Sequence, residues 1–121
     1  MDQSTFEQLV IDVLDNVPPE FARHLANVEV IIEPYVTDDH RDALDLEPDE
    51  RVYGYYEGIP LTERMALDVA PPDTIVIFQE PLEQDFPNII DLREEVRRTV
   101  LHEIAHFFGI SDERLDELGA Y

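Results

Sequence analysis

The chain has 121 residues, a length that one hydrophobic core can serve, so a single domain over residues 1–121 is expected. Hydrophobic residues make up 44% of it, enough to fill a core and to exclude wholesale disorder, and the absence of cysteine excludes disulfides, thiolate metal sites and cysteine catalysis. Twenty-nine acids stand against eight bases, all arginine, and the resulting charge of −21 repels nucleic acid and anionic membranes while favouring cations and basic substrates.

The longest stretch free of Asp, Glu and Arg is Ile104–Ser111, far short of the ~20 apolar residues a membrane span needs. The N-terminus carries acids where a signal peptide carries cations. A cytoplasmic protein is expected.

Ser4-Thr5-Phe6-Glu7 fits a capping box. Phe6, Leu9, Val10, Val13, Leu14 and Val17 then recur as one stripe of an amphipathic helix, which Pro18-Pro19 ends. Pro19 suits the first turn of a short second helix, with Phe21 and Leu25 facing inward. Val28–Val36 reads as a strand with Val28, Val30 and Ile32 on one face. The acidic stretch Thr37–Arg51 has little periodicity and predicts a solvated loop with room for one helical turn. Its Asp38-Asp39-x-x-Asp42 lacks the glycine that a calcium-binding loop places at its sixth position.

Val52–Tyr56 and Ile59–Leu61 flank Glu57-Gly58, a turn signal that predicts a hairpin. Tyr53, Tyr55 and Tyr56 fit packing on a sheet, or a phenol that steadies a tetrahedral intermediate. Arg64 and Tyr121 are further candidate oxyanion donors. Thr74–Gln79 is apolar on both faces and so is expected at the centre of a sheet. Pro87-Asn88, with Asp91 three residues on, predicts the start of a long helix. Ile89, Leu92, Val96, Val100, Ile104 and Phe107/Phe108 give its apolar stripe, and Gly109 is placed to end it. A last short helix is expected over Ser111–Leu118.

His102-Glu103-Ile104-Ala105-His106 carries the chemistry. On a helix the two histidines lie one turn apart on one face, so both imidazoles can reach one zinc ion. Glu103 lies beside them, where it can hold a water and take its proton. Shuffling this composition produces the pattern with a frequency of only ~0.01, which makes accident a poor explanation. A third ligand is required, and the nearby acids are Asp112, Glu113, Asp116 and Glu117. Asp112 is favoured, because Gly109 can redirect the chain and bring the residue three later back over the metal. An acid there would also suit the start of the last helix. His24 and His40 lie far from the motif and read as surface histidines.

The segment HEIAHFFGISDERL resembles the extended zincin signature, HExxHxxGxx followed by His or Asp. With the closing DERLDELG it resembles a family of bacterial minimal zincins. That resemblance implies an α+β fold, a small mixed sheet packed against an N-terminal helix and a long C-terminal active-site helix. It also implies one zinc per chain on His102, His106 and Asp112, with Glu103 as general base in peptide hydrolysis. The methionine turn of metzincins is absent, since the methionines are Met1 and Met65. A small chain with one short helix after the motif leaves two rival expectations. One is a zinc-containing binding module without turnover; the other is a hydrolase of non-peptide amides.

Overall fold

A computed structural model describes residues 1–57 and 73–117. The fold is α+β with a small mixed sheet, as the sequence led us to expect, and the described residues form three strands and six α-helices. Helix α1 (Gln3–Asp15) begins two residues earlier than the capping-box reading placed it: Asp2, not Ser4, is the N-cap, accepting from the Thr5 N–H at 2.8 Å. Aspartate caps as well as serine. The earlier start also puts the Met1 ammonium 3.2 Å from the Glu83 carboxylate. Phe6, Leu9, Val10 and Val13 face the core as the stripe predicts.

Pro19 opens α2 (Pro19–Ala22), which runs through a 3-10 segment, Arg23–Asn27, into strand β1 (Val28–Glu33). The acidic stretch is more ordered than a solvated loop. It holds α3 (Asp38–Ala43), where Thr37 and His40 cap one another and Asp38 and Asp39 complement the positive end of the helix dipole. Strand β2 (Gly54–Glu57) comes next; the second strand of the expected hairpin, and Arg64, fall outside the described residues.

Strand β3 (Asp73–Phe78) is central, as its apolar faces require. It pairs parallel with β1 and antiparallel with β2, with Tyr55 opposite Val76. Ile75 and Ile77 join the main core, and Val76 and Phe78 are buried on the other face. The sequence reading missed α4 (Gln79–Asp85), which follows β3 directly. Its Pro81 sits in the first turn, where an N–H has no helical partner to lose.

Helix α5 (Ile89–Phe108) starts at the Asn88 cap and ends at Gly109, whose φ of 73° is left-handed. Its Leu92, Val96, Val100, Leu101, Ile104 and Ala105 are buried against α1 and the sheet. Helix α6 (Asp112–Glu117) packs back on α5 through Leu115, which is fully buried. Among the described residues, no helix is long and apolar enough to cross a membrane.

Candidate metal centre

The buried stripe of α5 fixes what its flank presents. With Leu101, Ile104 and Ala105 in the core, His102 and Glu103 are half-buried and His106 is exposed. The two imidazole rings lie one turn apart with centroids 6.2 Å from each other.

Glu103 is held in place by the sheet. Its Oε2 accepts the Tyr56 backbone N–H at 3.1 Å. Burial pushes its carboxyl above the ordinary glutamate range, while that N–H and the two histidines pull it back. No sequence pattern announces this contact, because the donor is main chain.

Gly54 explains how β2 comes so near α5. A Cβ there would lie 2.6 Å from the Val76 carbonyl oxygen and 3.1 Å from the Thr99 methyl group. Only glycine fits between β3 and α5, and two residues on, Tyr56 reaches Glu103. The Tyr56 ring stacks on Phe107 at 4.0 Å, and its hydroxyl donates to the buried Asp73 at 2.7 Å.

A cleft of about 430 Å³ opens beside His102 and Glu103, bounded by Tyr53 and Gly54 on one side and Glu95 and Thr99 on the other. Burial also raises the Glu95 carboxyl. Tyr53 donates to Asp85 at 2.6 Å, and desolvation pushes its phenol up to about 12. Tyr55 turns to the opposite face, beside Phe78 and His40. The three tyrosines thus pack on the sheet; Tyr121 lies outside the described residues.

Asp112 is the first residue of α6 and is exposed. The helix that carries it is fastened elsewhere. Ser111 Oγ accepts the Arg114 N–H at 3.1 Å, and the Arg114 guanidinium grips Glu20 on α2 at 3.0 Å. Among the described residues, no three His, Asp or Glu side chains converge closely enough to hold a metal ion. The donor chemistry of α5 suits zinc, with two imidazoles one turn apart and a carboxylate beside them. The third donor is not gathered with them.

His24 and His40 are half-buried rather than simply at the surface. His24 stacks on Phe108 with centroids 4.1 Å apart, and burial lowers its pKa. His40 meets the Phe78 ring edge-on at 4.9 Å.

The model of the zincin-like metallopeptidase family matches residues 25–120. This chain belongs to that family. Comparison with curated proteins gives no match. Among solved structures the chain is similar to a conserved hypothetical protein from T. thermophilus, with a TM-score of 0.57 and 23% identity. The alignment covers 96% of this chain and 98% of that one, and it supports the shared fold.

Proposed function

We propose that this zincin-like protein is a zinc-dependent peptidase, with His102, His106 and Asp112 as zinc ligands and Glu103 as general base. The observation that carries the reading is the anchored Glu103 carboxylate, adjacent to the paired imidazoles and open to a cleft. A purely structural zinc site has no use for a base in that position.

Bound zinc would supply Lewis acidity, making a water easier to deprotonate and a carbonyl easier to attack. The chain's own residues do the rest. His102 and His106 would hold the ion through ring nitrogens, and the Asp112 carboxylate would add a negative charge. Glu103 accepts a proton from the attacking water as oxygen bonds to the carbonyl carbon. It then passes that proton to the leaving nitrogen as the C–N bond breaks. Burial of the carboxyl suits the first half of this exchange, because a raised pKa makes Glu103 a stronger base for the proton of the water. The cleft beside Glu103 offers room for substrate, and a charge of −21 favours cationic peptides.

The test combines metal content with turnover. Purified chain should carry about one zinc, His102→Ala or His106→Ala should lose it, and Glu103→Gln should keep zinc while losing cleavage of a peptide library. Full zinc retention in either histidine variant would sink the metal assignment. Undiminished cleavage by Glu103→Gln would sink the base.

A further inference from the structure

The Tyr56 side chain is held from two directions, and its backbone points at the base. Its ring lies nearly parallel to Phe107, with an interplanar angle of 21°, and Phe107 directly follows His106. Its hydroxyl reaches across to Asp73, which begins the central strand and is only 6% exposed. Its N–H meets the Glu103 carboxylate. A carboxylate on a helix flank otherwise has rotamers to choose among, and a proton carrier must hold one orientation to be efficient.

We propose that Tyr56 is a positioning residue for Glu103, and that Asp73 and Phe107 act by holding Tyr56. The proposal rests on the peptidase reading. Tyr56 acts through its main chain, so its side chain matters only for where the N–H sits. Releasing the hydroxyl from Asp73 lets the ring slide on Phe107 and moves the donor that orients the base. Zinc ligation and the substrate cleft are left as they were.

Tyr56→Phe keeps the ring and removes only the hydroxyl, and Asp73→Asn keeps the shape of the acceptor while removing its charge. Each should lower kcat on the best peptide substrate roughly three- to tenfold, the factor one ordinary hydrogen bond carries. KM and zinc content should stay at the wild-type value. The double variant should be no worse than the weaker single one, because Asp73→Asn weakens and Tyr56→Phe removes one and the same link. Tyr55→Phe, whose ring lies on the opposite face with Phe78, is the control and should leave kcat unchanged.

A second readout needs no turnover. The Tyr56 amide proton, bonded to a carboxylate, should resonate downfield in labelled protein. It should move upfield in Glu103→Gln, Tyr56→Phe and Asp73→Asn. A lower melting temperature with unchanged kcat and an unmoved Tyr56 amide would mean that the tyrosine only supports the fold, and would overturn the proposal. If the wild-type chain cleaves no peptide, the peptidase reading fails on its own. The amide then decides separately: an upfield shift in Glu103→Gln retains Tyr56 as the anchor of that carboxylate, and an unmoved amide removes it.

Discussion

Arg114 and Glu20, 94 residues apart in sequence, meet in a forked ion pair that fastens α6 to α2. Both groups are partly solvated, so the pair contributes little to overall stability. Its effect is local. The six residues of α6 are too few to hold a helix alone, and the Ser111 cap, Leu115 and this fork help to fix them. Arg114 holds the Glu20 carboxyl below the ordinary range. For such a group the stabilisation is fully present above the unfolded pKa and is lost as pH falls through the folded one. Arg114→Ala should therefore raise the Glu20 titration midpoint, read from its carboxyl carbon by NMR, and speed amide exchange in Leu115–Glu117. An unmoved midpoint would show the fork to be absent in solution.

Gly54→Ala tests the contact between sheet and motif helix. The added Cβ meets a backbone oxygen at 2.6 Å, and backbone cannot step aside as a flexible side chain can. Overpacking of this kind typically costs about 1–3 kcal/mol. Denaturant unfolding should register that loss, and the Tyr56 amide should lose its bond to Glu103 as β2 is pushed away. A variant as stable as wild type would refute the close approach.

Glu103 is expected to weaken the metal-free fold at neutral pH. Its folded pKa is raised by burial, so ionising it costs more in the folded chain than in the unfolded one. That penalty is absent below the unfolded pKa and complete above the folded one. Glu103→Gln removes it while leaving an oxygen to accept the Tyr56 N–H. With chelator present, the variant should melt higher than wild type near pH 7, and the difference should vanish near pH 4. An equal difference at both values would deny burial as the cause. A stabilising change that abolishes turnover is the usual mark of a functional site.

Short-range chemistry made much of this legible from residues alone. The Asn88 cap, the Gly109 terminator and the α5 stripe are local signals, and the structure honours each. Strand β3 announced its central place because Ile75 to Phe78 are apolar on both faces. What escaped was of two kinds, competition between neighbouring caps and a contact distant in sequence. Asp2 outcompeted Ser4 as a cap, in a helix whose start also brings Met1 to Glu83. Helix α3 depends on Thr37 and His40 capping each other, a pairing hidden in a run of acids. The anchoring of Glu103 could not be read at all, since a main-chain donor from β2 supplies it. The nearness of His102, Glu103 and His106 was legible because helix geometry alone brings them together.

Asp112 is where sequence and structure pull apart. The signature spacing offers it as the third zinc ligand, whereas the structure has it exposed at the start of α6, outside any three-residue metal group among the described residues. Asparagine separates the two roles. It starts a helix nearly as well as aspartate, so a helix-start residue would leave metal untouched. As a ligand, the same change puts a neutral amide where an anion met a cation. The loss in zinc affinity should then exceed the roughly 10–100-fold that removing an outer-shell partner costs. Asp112→His is the companion variant, because imidazole is the other third ligand of the extended signature and reaches further from the backbone. Titration against a competing chelator should find zinc weakened in Asp112→Asn and at least partly restored in Asp112→His. Such a result would require α6 to shift toward the histidines on binding, visible as a change in the Arg114–Glu20 resonances. Unchanged affinity in Asp112→Asn would instead move the third ligand to Glu113, Asp116 or a residue outside this segment, leaving the proposed roles of His102, His106 and Glu103 standing.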